Sequence, residues 1–173
     1  MLQEATPEAT YGFRFPLDGD AYPLRWDYPH IDESNWLQMI PPQDYAFYLH
    51  NTVKFHLSHR LRFFDDEAFS AKTAEFYDNP HETARSSRLW YVQFLVILAF
   101  GKAILERPRG NTAPPGFNFF TRAMSLLPSI PEMQKSEPIL AVEVLSLIAL
   151  YMYCVDYRAS AYVYVSVLLS HQF

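Results

Sequence analysis

The stretch RLWYVQFLVILAFGKAIL, residues 88–105, is the most apolar segment in the first two thirds of the chain. A membrane span needs roughly 20 apolar residues, whereas the uncharged run between Arg88 and Lys102 is about 13 residues and covers on the order of 20 Å as a helix. Apolar side chains from Leu89 to Leu105 point in nearly every direction around that helix, so it must be covered on all sides. The stretch therefore predicts the central helix of a packed core.

A second apolar segment, from Pro138 to Val155, carries Glu143 near its centre. A carboxylate there would cost several kcal/mol inside a bilayer. The first residues, MLQEATPEATYGFRF, show no basic segment followed by an apolar run, so they lack the pattern of a signal peptide. We therefore expect no membrane partner.

The composition favours one packed, intracellular domain. A chain of 173 residues fits a single domain, and its 50% hydrophobic and 17% aromatic residues can form a large core. The net charge of -5 is spread over both signs without a basic cluster, which suits nucleic acid poorly because phosphate is held by cationic side chains. Cys154 is the only cysteine, so no internal disulfide and no cysteine-rich zinc site can form.

Prolines and aromatic residues separate residues 1–41 from the rest of the chain. This part has no helical period and predicts an extended arm, pinned in places by aromatic rings such as Trp36. Pro42 marks the start of the first long helix, because proline suits the first turn. At 100° per residue one face of that helix collects mainly aromatic and apolar residues, which are Tyr45, Tyr48, Leu49, Thr52, Val53, His56, His59 and Phe63. The opposite face is predicted to be polar and contains His50, Asn51, Lys54 and Ser58.

Residues 42–173 predict an all-α, multi-helix orthogonal array or bundle. Asp65 or Asp66 is a candidate N-cap, and the helix that follows should end at Asn79. FNFFTRAMSLLP has the apolar spacing of a helix, whereas SIPEMQKSEP predicts a connection. Pro138 opens another helix, and RASAYVYVSVLLSHQF predicts either a last helix or a strand-prone tail.

Residues capable of catalysis or metal binding are few. His56 and His59 share a helix face, but two histidines are too few for zinc, which takes three or four protein ligands. Asp65 and Asp66 are adjacent, so their side chains should diverge and act as solvated caps. Cys154 lies in an apolar segment and predicts a buried, inert thiol. No phosphate-binding or nucleophile motif occurs, so we predict no catalytic, cofactor-binding or metal-binding residue and no enzymatic activity.

Four charged residues lie beside apolar positions, namely Lys102, Glu143, Asp156 and Arg158. Charged groups next to a core are usually paired. We expect these residues to lie at helix ends or edges and to bridge neighbouring helices. The other interpretation is a polar pocket or a surface for a partner.

Several stretches resemble, in their order and spacing, the middle regulatory homology region of fungal binuclear zinc-cluster transcription factors. They are DYAFYLHNTVKFHL, FFDDEAF, SRLWYVQFLVILAFGKAIL, PPGFNFFTRAMSLLP and PILAVEVLSLIALYMYCVDYRASAYVYV, and they extend from Pro41 to Val165. The resemblance implies an all-α domain that follows a zinc-cluster DNA-binding module, regulates transcriptional activation in the nucleus and responds to effectors.

The chain departs from this family in two respects. Six cysteines hold two zinc ions in the family's DNA-binding module, whereas this chain has one cysteine. We therefore expect neither zinc binding nor direct DNA binding from this chain. The family pattern also continues beyond RASAYVYV with a further helix, whereas this chain reads SVLLSHQF and stops. We therefore expect a C-terminally truncated domain whose uncovered apolar surface leads to poor solubility or to association between copies.

Protein partners or intramolecular contacts are the expected means of action. A ligand-sensing pocket between helices is a second hypothesis, in which the face with Tyr45, Tyr48, His56 and Phe63 packs against LWYVQFLVILAF and leaves a cavity. A filled core at that place is the simpler interpretation. A stand-alone interaction module and a gene fragment without function are also open at the level of the sequence.

Overall fold

The computed structural model describes residues 36–57, 63–107, 113–156 and 158–170. The described residues form one short 3-10 helix and eight α-helices and contain no strand, which confirms the all-α prediction. The 3-10 helix is Trp36–Met39, and the α-helices are α1 (Gln43–Leu57), α2 (Asp66–Asp78), α3 (Pro80–Ser86), α4 (Arg88–Leu105), α5 (Phe117–Leu126), α6 (Ile130–Ser136), α7 (Pro138–Cys154) and α8 (Arg158–Ser170).

Helix α4 lies at the centre of the packing, as its sequence predicts. It contacts α1, α3, α5 and α7, and every residue from Leu89 to Gly101 is buried. By length and composition α4 is the described helix that could cross a membrane, but most of it lies inside the protein. Helix α4 has no polar face, and neighbouring helices accordingly cover it on all sides.

An aromatic cluster joins α2 to the first half of α4. Phe76 of α2 is fully buried, and its ring centroid lies 5.0 Å from that of Phe94 and 5.6 Å from that of Tyr91. Trp36 packs on the outside of this cluster, 5.2 Å from Tyr91. Of the predicted N-terminal arm, residues 1–35 lie outside the described residues, while Trp36–Met39 is helical rather than extended and is pinned by its tryptophan.

The buried face of α1 agrees with the predicted one only in part, since Leu49, Thr52 and Val53 are buried as expected. Ala46, Leu49 and Val53 face the core and His50 is buried with them, whereas Tyr45, Tyr48 and His56 are exposed. The reason is close packing of α1 on α4 at Gly101, where an added Cβ would lie 2.7 Å from the Leu49 Cβ. Small and aliphatic side chains fit such an approach, and large aromatic rings do not.

Two other segments are helices where the sequence predicted a connection or left two alternatives open. The predicted connection SIPEMQKSEP contains helix α6, with Pro131 in its first turn and Met133 buried at 1% exposure. The predicted helix or strand-prone tail is a helix, α8, which packs against α7. The short helix α6 is partly buried because it packs against α7. Such packing is not visible in the sequence, and this explains why the pattern of residues 129–138 did not indicate a helix.

Gly101→Ala is expected to lower the free energy of unfolding by about 1–3 kcal/mol, the usual cost of overpacking a core. Helix propensity alone predicts the opposite sign, since alanine is favoured over glycine by about 1 kcal/mol within a helix. Urea unfolding followed by circular dichroism measures the difference.

Leu49→Ala serves as the companion variant because the clash involves the Leu49 Cβ, carbonyl oxygen and Cα, which alanine retains. The double variant should therefore remain less stable than Leu49→Ala alone. A stabilising effect of Gly101→Ala in either background would contradict the close approach of α1 and α4.

Candidate functional site

An apolar groove runs between α7 and α8 and is closed on one side by Phe63. Its volume is about 560 Å³. The side chains that line it are Phe63, Ser146, Ala149, Leu150, Tyr153, Arg158, Ala161, Tyr162, Val165 and Leu168. We refer to this feature as the α7–α8 groove. Small residues on the facing helices, Ala149 and Ala161, leave the space that larger side chains would fill.

The turn between α7 and α8 places one cation at the groove. Asp156 adopts a left-handed backbone conformation with φ of 65°, which ends α7 and turns the chain. Its carboxylate lies 3.0 Å from the Arg158 Nε, and the Arg158 guanidinium lies 5.8 Å from the centre of the Tyr153 ring. Among the described residues that line the groove, Arg158 is the charged one, so these residues accept neutral or anionic groups more readily than cationic ones.

A polar junction lies where α2 begins, and it joins α2 to α1 and α7. The Asp65 carboxylate accepts hydrogen bonds from the backbone N–H groups of Glu67 and Ala68, at 3.0 and 3.1 Å, so it is the predicted N-cap. Asp66 points the other way and pairs with His50 and Lys54 of α1. The two adjacent carboxylates therefore diverge, as expected, but only Asp65 is a cap, since Asp66 connects α2 to α1.

His50 is the buried member of this junction. Its Nε2 lies 3.0 Å from the Asp66 Oδ1. The ring packs beside Phe69, with centroids 4.7 Å apart. Burial lowers the pKa of His50, and the positive charge of Lys54 acts in the same direction, whereas Asp66 opposes both. The neutral imidazole is thus the form that this site favours.

Glu143 reaches the same region from α7. Its Oε2 accepts a hydrogen bond of 2.8 Å from the Gln93 Nε2 in the middle of α4. Burial raises the pKa of Glu143, while the bonds from Gln93 and from the backbone of Asp65 partly offset this effect. Glu143 therefore bridges neighbouring helices, as predicted, although it does so at a helix centre rather than at an end.

The other candidates from the sequence are separate from one another. Lys102 pairs with Glu106 within one helix turn, at 3.3 Å. His56 is exposed and its Nδ1 lies 2.8 Å from the Thr52 carbonyl oxygen, while His59 lies outside the described residues. Cys154 is exposed, contrary to the predicted burial. Neighbouring atoms still remove part of the water around its thiol, and this desolvation raises the pKa of the thiol. A raised pKa disfavours the reactive thiolate.

The predicted ligand pocket on the aromatic face of α1 does not form, because Tyr45, Tyr48 and His56 face solvent. Of the four residues proposed for it, Phe63 lines the α7–α8 groove. Within the described part of the chain, no group of three or more His, Cys, Asp and Glu side chains is placed to hold a metal ion. The groove was not predictable from the sequence because it depends on how α8 packs against α7.

No family model matches this chain, and neither a curated protein nor a solved structure is significantly similar to it. The resemblance to the regulatory region of zinc-cluster transcription factors therefore rests on the sequence motifs alone.

His50→Phe is expected to flatten the dependence of stability on acid pH. Because the folded-state pKa of His50 lies below the ordinary 6.5, the unfolded chain binds more protons just below that pH. Its contribution to stability is therefore complete above the unfolded pKa and is lost as the pH falls through the folded pKa. One such proton changes the free energy of unfolding by at most about 1.4 kcal/mol per pH unit.

Denaturant unfolding between pH 7.5 and 5 measures this slope. Phenylalanine keeps a ring beside Phe69 and removes the titrating group. Exposed His56→Phe is the matched control and should follow the wild-type curve. Equal slopes for wild type and His50→Phe would show that the buried imidazole does not titrate with folding.

Proposed function

We propose that this chain is a regulatory, non-catalytic domain of a fungal zinc-cluster transcription factor and that it acts in the nucleus through protein contacts. The succession of motifs from Pro41 to Val165 supports the family, and the all-α fold agrees with what that family implies. The proposal assigns DNA binding and zinc to a separate cysteine-rich module, and it assigns no cofactor to this chain.

The observation that carries the proposal is the apolar outer surface of α7 and α8. Tyr153 is 60% exposed beside the groove, and Tyr162 and Leu169 of α8 are exposed as well. Exposed apolar surface of this kind marks sites of protein or ligand contact. A helical scaffold with such a surface suits partner recruitment or contact with another domain better than bond-making chemistry.

A reporter experiment tests this proposal. The chain is inserted between a heterologous DNA-binding domain and an activation domain, and reporter output is compared with that of the fusion lacking it. We expect the chain to change the output several-fold, and Tyr153→Lys to return it toward the value without the chain, because a cation at the groove disrupts apolar contact.

Phe55→Lys is the matched control, since Phe55 is an aromatic residue of similar exposure, 67%, on α1 and outside the groove. This variant should behave as the wild-type chain does. The proposal fails if the inserted chain is folded and nuclear but leaves the output unchanged, or if both variants have the same effect.

The α7–α8 groove favours a second candidate function, the sensing of a small apolar molecule. Its volume of about 560 Å³ falls within the roughly 300–1,000 Å³ typical of ligand pockets. The Ser146 hydroxyl and the Arg158 guanidinium supply the few polar groups along an apolar wall. A mainly apolar ligand with one anionic or hydrogen-bonding group fits this lining.

Thermal unfolding with 4-phenylbutyrate and 4-phenylbutanol tests ligand binding, since the two probes differ mainly in charge. A ligand at 100 times its Kd stabilises the folded state by about 2.7 kcal/mol, which raises Tm by several degrees for a chain of this size. We expect the anionic probe to give the larger shift and Arg158→Gln to remove the difference. Shifts that are absent, or that persist in Tyr153→Lys, would exclude the groove as the binding site.

A further inference from the structure

One face of α8, which also forms a wall of the α7–α8 groove, carries residues at the spacing of a helix–helix contact. Arg158, Tyr162, Val165 and Leu169 follow one another at intervals of four, three and four residues, and all four are exposed. At 100° per residue they lie within about 60° around the helix axis. This is the spacing by which two helices pack along a shared seam. We refer to these four residues as the α8 seam.

The apolar members of the seam are prominent. Tyr162 is 73% exposed and Leu169 is 77% exposed, so each would lose a large accessible area on contact with another helix. Val163, at 58%, is also exposed but points about 100° or more away from the seam centre. The seam is therefore a directional feature of α8 and differs from general exposure of its apolar residues.

The seam is symmetric along the chain. The intervals of four, three and four residues read the same in both directions, so an antiparallel second α8 presents matching positions throughout. In that arrangement Arg158 lies opposite Leu169 of the other copy, and Tyr162 lies opposite its Val165. A closed two-fold contact requires such self-complementarity, because each surface must serve as its own partner.

Charge favours the antiparallel orientation. Arg158 is the only charged residue in the α8 sequence RASAYVYVSVLLS, and it stands at the N-terminal end of the helix. An antiparallel pair places it near the C-terminal end of the other α8, which carries a partial negative charge. A parallel pair would instead bring two arginines together, although each keeps its contact with Asp156 in its own chain.

We propose that a second copy of this chain docks on the α8 seam in antiparallel orientation and forms a two-fold symmetric dimer. The seam requires a partner helix that carries almost no charge and has a partial negative charge at its C-terminal end. Helix α8 of a second copy meets both requirements. The proposal does not depend on a role in transcription.

The size of the contact sets the expected affinity. Thirteen residues make α8 about 20 Å long, and stable interfaces bury about 1,200 Å² or more. A single pair of such helices lies at the low end of this range. We therefore expect reversible dimers with a dissociation constant in the micromolar range, rather than a permanent assembly.

Sedimentation velocity of the full chain over a hundredfold range of concentration tests for the dimer. We expect the mass to rise from one to two chains, and Leu169→Lys to weaken association at least tenfold because it places a second cation opposite Arg158 of the other copy. Val163→Lys on the same helix is the matched control and should dimerise as the wild type does.

A monomer at all concentrations overturns the proposal, and so does equal association of both variants, since it would place the contact elsewhere. Assemblies larger than two chains also overturn it, because a two-fold contact closes. Circular dichroism confirms that the variants remain folded, which is expected because both substitutions are at exposed positions.

Cross-linking tests the orientation independently of affinity. In a Cys154→Ser background, chains with Arg158→Cys and chains with Leu169→Cys are treated with a short bismaleimide, separately and mixed. The antiparallel dimer predicts cross-links only in the mixture, since residues 158 of two copies would lie roughly 16 Å apart along the axis at 1.5 Å per residue. Efficient cross-linking of either chain alone would contradict this orientation.

Discussion

The need of α4 for cover on every side is the constraint on which the rest of this structure depends. No side of the helix between Leu89 and Gly101 is left for water, so α1, α3, α5 and α7 must all pack against it. Gly101 sets how closely α1 can approach. Because this contact admits only small and aliphatic side chains, it also decides which face of α1 is buried and which aromatic rings remain exposed.

Polar contacts connect several of the helices around this centre. Asp65 caps α2 while Asp66 contacts α1, and Glu143 of α7 accepts a hydrogen bond from Gln93 of α4. The charged groups near the core are thus engaged in packing. The outer side of α7 and α8 is different, since it combines an apolar groove with an exposed seam. This hairpin is therefore where we propose contact with a partner, a ligand or a second copy.

Predictions from local sequence succeeded where the cause is local. The Asp65 cap and the end of α2 at Asn79 follow from side-chain and proline chemistry next to the helix, and the burial of α4 follows from its apolar content. The aromatic part of the predicted α1 face was wrong because an average over apolar and aromatic residues ignores the shape of the partner surface. Cys154 was wrong for a related reason, as an apolar segment does not bury every position when its helix ends at the surface.

The sequence by itself determined an all-α domain built around one central helix, because an apolar period and helix-ending residues act within a few residues of each other. Only the tertiary structure decided the candidate sites. His50 joins Asp66 across 16 positions of the chain, and the groove is lined by residues of both α7 and α8, among them Ala149 and Ala161. Such features depend on how two surfaces fit, and neither helix contains that information alone.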